Sequence, residues 1–242
     1  MDNVLVTGAS RGIGLAIATR LAREGYAVIG VARKPSEAFA DAAAKIDGAG
    51  ALRFEPFDLT DIAAIPAFVR GLKERSGPIY GLVNNAGVGT GGLLANIPNA
   101  DIEALSRLNT LAPIVLTKYV VRGMMAEGRG RIVNIASIVA ATGYNGLSVY
   151  SASKAALVGF TRALAREVGR VGVTVNAIAP GFVDTELTRG LDAVQRERIV
   201  ARTALRRLTD AEDVAAMAAL LMGEGGRSVT GSVLTVDAGA TA

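Results

Sequence analysis

The sequence predicts an α/β fold: a single-domain, doubly wound parallel sheet with helices on both faces. Three observations predict it. Short apolar runs alternate with stretches of helical periodicity along all 242 residues. Several of those runs are continuously apolar instead of alternating, as strands covered on both faces must be. The first run opens directly into a glycine-rich turn and then a helix.

Taken in order, Asn3 to Val6 is a strand ending in Thr7-Gly8-Ala9-Ser10. From Gly12 to Glu24 apolar residues recur at helical spacing, at Ile13, Ala16, Ile17 and Leu21. Ala27 to Val31 is the second strand, Ser36 to Ile46 a helix, Leu52 to Phe54 the third strand and Ile62 to Arg75 a helix. Ile79 to Val83 forms a fourth strand, closed by Asn84-Asn85-Ala86-Gly87, and a long helix covers Ala100 to Glu127. The strand Ile132 to Ala136, the helix Tyr150 to Val168 and the strand Val173 to Ile178 follow, the last closed by Pro180-Gly181. Helical patterns near Asp192 to Arg202 and Ala211 to Met222 precede a final strand, Val233 to Val236. With no linker and no internal repeat, residues 1–242 read as one domain. The stretch Glu186 to Arg207 interrupts the strand-helix order and is expected to form a substrate lid.

Composition narrows the chemistry. The chain has no His and no Cys. Histidine is the usual general base near neutral pH, so Ser-His-Asp and Cys-His mechanisms and His-based zinc sites are excluded, along with thiolates and disulfides. No metal site is expected, and acid/base work falls to Tyr, Lys, Asp or Glu. The absence of Cys fits a reducing compartment, and the chain opens without a basic, apolar leader, so a cytoplasmic location is expected. Two uncharged stretches, Ser76 to Ala100 and Ile132 to Ser153, are broken by Asn, Gly, Pro and Ser, so no membrane span is expected. The formal charge is +4, but between Arg122 and Arg207 twelve arginines and Lys154 face six acidic residues, a net of +7. That stretch has no aromatic interleaving, which argues against nucleic acid and for a solvated face or an oligomer contact.

In the turn Thr7 to Gly14 the glycines Gly8, Gly12 and Gly14 stand at spacing four then two, between strand and helix. Glycine lets the backbone approach a ligand, and the helix amino terminus offers free N–H groups and a positive dipole end, a pyrophosphate site. Tyr150 and Lys154 are four apart on one helix and share a face, so an ammonium near the phenol can favour its ionised form. Ser137 follows a strand, at the carboxyl end of the sheet where ligands of open α/β folds bind. Without a histidine it has no partner to make it a nucleophile, so it is expected to orient and polarise a carbonyl.

The glycine turn, Asn84-Asn85-Ala86-Gly87, Asn109, Ser137 and Tyr150-Ser151-Ala152-Ser153-Lys154 occur in the order found in short-chain dehydrogenases/reductases, and over essentially its whole length the chain resembles that family. The resemblance implies a Rossmann-type fold and a nicotinamide cofactor held by Gly8, Ser10, Arg11, Gly12, Ile13 and Gly14. It puts Asp58 and Leu59 against adenine, and Asn85, Ala86 and Gly87 against the ribose and the middle of the cofactor. Asn84 reads instead as a structural bridge between strands. Pro180, Gly181, Val183 and Thr185 would position the carboxamide. Where NAD-dependent relatives carry Asp after the second strand, Ala32 stands here and Arg33 follows, with Lys34 next and Arg11 nearby; this favours NADPH/NADP+. Tyr150 is expected to donate a proton as hydride arrives, Lys154 to hold the nicotinamide ribose and lower the tyrosine pKa, and Asn109 to hold a water joining Lys154 to solvent.

Within the family the stretches Ala163 to Val168 and Val173 to Thr185, with Arg207-Leu208, look most like 3-oxoacyl-[acyl-carrier-protein] reductases. That implies an acyl-thioester substrate and an acyl carrier protein partner, with the basic stretch as a rim for an acidic carrier. Departures are present: Arg129 and Arg170 are shifted by one residue from the expected docking positions, and Val88-Gly89-Thr90-Gly91-Gly92 lacks a charged pair. A reductase of free small ketones, acyl-CoA thioesters or a secondary-metabolite intermediate is the alternative, and a non-catalytic NADPH sensor a further one. The resemblance also implies a homotetramer, with Ala155, Ala156, Leu157, Phe160, Leu164 and the run Ala215 to Met222 as contact faces or core.

Overall fold

The computed structural model describes residues 1–89, 91–183 and 193–242. Its strands are β1 (Asn3–Thr7), β2 (Ala27–Ala32), β3 (Ala51–Pro56), β4 (Ile79–Asn84), β5 (Gly130–Ile135), β6 (Val173–Pro180) and β7 (Val233–Val236). Among the described residues they form one parallel sheet in the order β3-β2-β1-β4-β5-β6-β7. The order reverses between β1 and β4, so the strands to either side diverge and leave a crevice at their carboxyl ends.

Side chains alternate across each strand, and both faces are covered. Val4 and Val6 of β1 enter one core with Ile17 and Leu21 of α1 (Gly12–Arg23), Phe39 of α2 (Glu37–Ala44) and Val214 and Met222 of α8 (Ala211–Met222). Leu5 enters the other core, with Val69 of α3 (Ile65–Ser76), Leu116 of α5 (Ala112–Glu127) and Val168 of α6 (Ser148–Val168). The central strands β5 and β6 are buried at every position, whereas the edge strands β3 and β7 alternate or are half-exposed.

The helix expected over Ala100 to Glu127 is continuous but contains a defect. α4 (Asn99–Ser106) runs into a π turn, Arg107–Leu111, and then into α5. Pro113 has no N–H to offer the carbonyl of Asn109 four residues back, so the regular ladder fails there and a wider turn takes its place.

Of the expected lid, residues 186–192 lie outside the described residues. The remainder forms α7 (Ala193–Ala201) and a segment fastened to the carboxyl end of β7, with Ala204 N donating to Gly239 O at 3.3 Å and Leu205 N to Ala238 O at 3.0 Å. Much of the apolar surface read as a contact face belongs to the protomer's own core: Leu157, Leu164, Ala215, Ala218, Ala219, Leu221 and Met222 are buried. Ala155, Ala156, Ala216 and Leu220 remain exposed and Phe160 is half-buried. Among the described residues no helix is long and apolar enough to cross a membrane.

Candidate active site

The turn after β1 is built by backbone and held by a threonine. Gly8 N donates to Val31 O at 2.8 Å with φ of +67°, and a Cβ at Gly14 would overlap the Gly8 carbonyl and the Asn85 amide. The buried Thr7 hydroxyl donates to Val83 O at 3.2 Å and accepts from Asn85 N at 2.9 Å and Ala86 N at 3.0 Å. Asn85 Nδ2 donates to Thr7 O at 2.9 Å and Gly8 O at 3.3 Å, so its side chain braces the glycine turn. Thr7 opens the glycine motif, yet nothing in the sequence pattern gave it this clamping role. Asn84 bridges strands and helix as expected, donating to Asn134 Oδ1 at 2.8 Å and Thr117 Oγ1 at 3.0 Å.

No side chain caps the amino terminus of α1, whose first-turn N–H groups face the turn and make an anion site. Ile13 packs against the core and the Ser10 carbonyl accepts from the Ser36 hydroxyl, which also caps α2. Beyond β2, Arg33 and Lys34 are exposed, and Arg33 forms no salt bridge among the described residues. Asp58 is exposed after β3; hydrogen bonds from the Thr60 N–H and hydroxyl hold its carboxyl below the ordinary range, and the Arg33 charge adds a smaller push. The Leu59 side chain lies in the core, so only its backbone is open to a ligand. A helix terminus without a side-chain cap among the described residues, behind a close-packed glycine turn and with an exposed arginine past β2, fits a dinucleotide phosphate chain carrying an extra phosphate.

Ser137 stands two residues beyond β5, half-buried, with its side chain near enough to the Tyr150 phenol to favour the ionised form. Burial pushes the Tyr150 phenol above its usual value, and the neighbouring Ser137 hydroxyl offsets part of that rise. Lys154 is buried, donates from Nζ to Ile135 O at 2.8 Å and lies 5.7 Å from the Tyr150 ring centroid. Removal from water pushes its ammonium down to about 8. The expected lowering of the tyrosine pKa by Lys154 is therefore not the leading effect in the protein alone: both groups are desolvated, and the ammonium is directed at a carbonyl.

Asn109 sits in the π turn and is buried. Its Oδ1 accepts from Val88 N at 2.9 Å, and its Nδ2 donates to Val88 O at 2.8 Å and Ser153 Oγ at 3.2 Å. Ser153 Oγ in turn donates to Tyr150 O at 2.7 Å, a link that sequence reasoning did not assign although Ser153 lies inside the Tyr-Lys motif. A Cβ on Gly87 would stand 3.2 Å from Asn109 Oδ1 and 3.5 Å from Lys154 Nζ, so Gly87, Asn109 and Lys154 converge. After β6, Gly181 N donates to Val236 O at 2.9 Å, Pro180 ends the strand and the buried Val183 bridges Thr209. Thr185 lies outside the described residues.

Three of the arginines in the basic stretch expected to rim the site fall elsewhere. Arg129 and Arg131 are at the amino end of β5, and Arg170 lies before the amino end of β6, whereas Ser137 is beyond the carboxyl end of β5. A six-residue strand at about 3.3 Å per residue separates the two ends. Arg129 is engaged there by Asp2, with contacts of 2.6 and 3.1 Å.

Residues 2–196 match the short chain dehydrogenase family. The FabG 3-oxoacyl-[acyl-carrier-protein] reductase of Pseudomonas aeruginosa is 41% identical over 239 residues, covering 97% of this chain and 95% of the relative, and that of Escherichia coli K12 is 40% identical over 235 residues with the same coverage. Among solved structures, a dehydrogenase/reductase from Sinorhizobium meliloti 1021 superposes with a TM-score of 0.91 at 36% identity, covering 100% of this chain and 95% of that one. A structure from Beutenbergia cavernae, described as an NAD(P)-dependent gluconate 5-dehydrogenase with NADP bound at low occupancy, gives 0.93 at 36% identity, covering 99% and 96%. The parallel sheet, the braced glycine turn and the convergence of Ser137, Tyr150 and Lys154 thus accompany a match over most of the chain, which belongs to the short-chain dehydrogenase family.

Proposed function

We propose that the protein is an NADPH-dependent ketoreductase that converts a 3-oxoacyl thioester, delivered on an acyl carrier protein, to the 3-hydroxyacyl thioester. The observation that carries the reading is the grouping of Ser137, Tyr150 and the buried Lys154 ammonium, 5.7 Å from the Tyr150 ring, at the carboxyl end of β5. The FabG relatives supply the substrate class, and Arg33 past β2 supports the phosphate-bearing cofactor. NADPH, held by Gly8, Ser10, Arg11, Gly12, Ile13, Gly14 and Arg33, supplies hydride to the ketone carbon.

The chain's own residues do the rest. Ser137 donates to the ketone oxygen and fixes it beside the Tyr150 hydroxyl. Burial keeps Tyr150 protonated at neutral pH, the state a donor requires, and its phenolic proton passes to the oxygen as negative charge develops there. Lys154 stabilises the resulting phenolate and holds the ribose hydroxyls. Asn109, in the π turn, fixes the loop after β4 and the Ser153 link to the Tyr150 backbone, while its own carbonyl lacks the usual helical donor and is open to a water that returns the proton from solvent. Asp58 and the Leu59 backbone meet adenine, Ala86 and Gly87 the ribose, and Pro180, Gly181, Val183 and Thr185 the carboxamide.

The same reading makes residues 1–242 one catalytic domain of a cytoplasmic homotetramer, for which the exposed Leu111, Met125 and Leu220 are the supporting apolar contacts. NADPH consumption on adding 3-oxoacyl thioesters, free and carrier-bound, compared with cyclic and aromatic ketones, tests the reading. Turnover confined to free ketones overturns it.

A further inference from the structure

Exposed large apolar side chains cluster at one end of this molecule. Val88, Leu93 and Leu94 follow β4, Tyr144 follows β5, and Leu205 is pinned to the residues after β7, so all five stand at the carboxyl end of the sheet. Leu93, Leu94 and Leu205 are each about 60% exposed, at 63%, 59% and 61%. A grouping of that kind marks a surface meant to be covered by something apolar.

The pieces are held in register. Gly92 N donates to Gly146 O at 2.9 Å, which ties the segment bearing Leu93 and Leu94 to the loop that carries Tyr144. That loop lies between Ser137 and Tyr150 and includes the backbone bond from Leu147 N to Tyr144 O. From the other side, Phe182 follows Gly181, and its ring meets that of Tyr144 with centroids 5.5 Å apart at an interplanar angle of 56°. The aromatic pair therefore spans the gap between the loop leading to Tyr150 and the segment leaving β6. Neither ring is buried: Tyr144 keeps 41% of its surface exposed and Phe182 is half-exposed. None of these side chains is charged, and the loop after β4 that faces them carries no charge from Val88 to Asn99.

We propose that Tyr144 and Phe182 form the specificity wall of the substrate cleft, with Leu93 and Leu94 opposite, and that the wall selects 3-oxoacyl thioesters with a medium-length or longer alkyl tail over acetoacetyl thioester. The inference rests on the ketoreductase reading above and names which member of that substrate class the site prefers. Ser137 and Tyr150 fix the ketone oxygen, so the alkyl tail is the part of the substrate free to run along the rings and remove them from water. Acetoacetyl thioester, whose tail ends in a single methyl, leaves the rings solvated and gains nothing from them.

The test is kcat/KM with NADPH for acetoacetyl and 3-oxooctanoyl thioesters of N-acetylcysteamine, in wild type, Tyr144→Ala and Tyr144→Phe. The wall predicts a preference for the longer substrate of about tenfold or more in wild type. Tyr144→Ala then removes that preference through KM, lowering kcat/KM for the 3-oxooctanoyl thioester far more than for the acetoacetyl thioester, and Tyr144→Phe keeps it. A Leu93→Ser, Leu94→Ser double variant reduces the preference without touching the rings. Equal kcat/KM for the two substrates in wild type, or equal losses on both in Tyr144→Ala, overturns the wall and leaves the ketoreductase reading standing. Failure to turn over either thioester overturns that reading and the wall with it.

Discussion

Lys154 carries a charge into the interior, and its cost can be read from stability. The ammonium is buried with one hydrogen bond, to Ile135 O, and its folded pKa of about 8 lies below the 10.5 of a free lysine. The unfolded chain therefore binds more protons than the folded one between pH 8 and 10.5, and stability contributed by this group rises with pH across that window. Below pH 8 the full penalty applies: a shift of roughly 2.5 units, at about 1.36 kcal/mol per unit, is about 3 kcal/mol. Lys154→Met removes the titration and also leaves Ile135 O without its donor, so its stability at a single pH mixes two effects. The difference between wild type and variant, compared at pH 7 and pH 10, cancels the second. Urea denaturation of both proteins at matched concentration should show wild type gaining about 2 to 3 kcal/mol on the variant between those pH values. A gain within about 0.5 kcal/mol of zero would refute the buried-charge account, since the ordinary scatter of such measurements covers it.

Three further outcomes follow from the same geometry. Arg33→Ala should raise the KM for NADPH by about 10- to 100-fold, the worth of a charge-assisted hydrogen bond, with NADH little affected; equal effects on both cofactors would remove Arg33 from the phosphate site. Asn109→Ala leaves the Val88 N–H and carbonyl without their side-chain partner and removes the bond that the Ser153 hydroxyl accepts, and should cost about 2 to 4 kcal/mol in denaturant unfolding together with a fall in kcat. Ser137→Ala removes the neighbour that favours the ionised Tyr150 phenol, so kcat should drop by about 10²- to 10³-fold and any alkaline limb of its pH profile should move to higher pH, read by steady-state kinetics from pH 6 to about 11. An unmoved limb would separate the serine from the tyrosine.

Most of the fold was legible because its signals are local. Val4, Leu5 and Val6 had to be a doubly buried strand, since consecutive apolar residues point to opposite faces and both are covered. Ala211 to Met222 was legible from its apolar run, and in the structure the Asp210 N–H donates to the Asp213 carboxylate at 3.2 Å where that helix begins. The π turn was hidden: Pro113 falls in the middle of the helix expected over Ala100 to Glu127, and the carbonyl that loses its donor is that of Asn109, four residues earlier. The Tyr150 and Lys154 spacing placed both on one face, but spacing says nothing of solvent. Burial raises the tyrosine pKa where the Lys154 charge was expected to lower it, and burial is set by the packing of the whole site, which spacing along one helix does not encode. The basic stretch misled for a similar reason. Charge counted along the chain joins Arg129, at the amino end of β5, to Lys154, whose ammonium meets the carboxyl end of the same strand.

The central claim is that Tyr150 delivers the proton. It is tested most directly by the rate of reduction of a 3-oxoacyl thioester by bound NADPH in a single turnover, wild type against Tyr150→Phe, with NADPH affinity measured on the same samples. The account predicts a loss of about 10²- to 10⁴-fold in the rate with NADPH affinity within a few-fold of wild type, the range general acid catalysis supplies. A Tyr150→Phe rate within about tenfold of wild type, below that range, would contradict it.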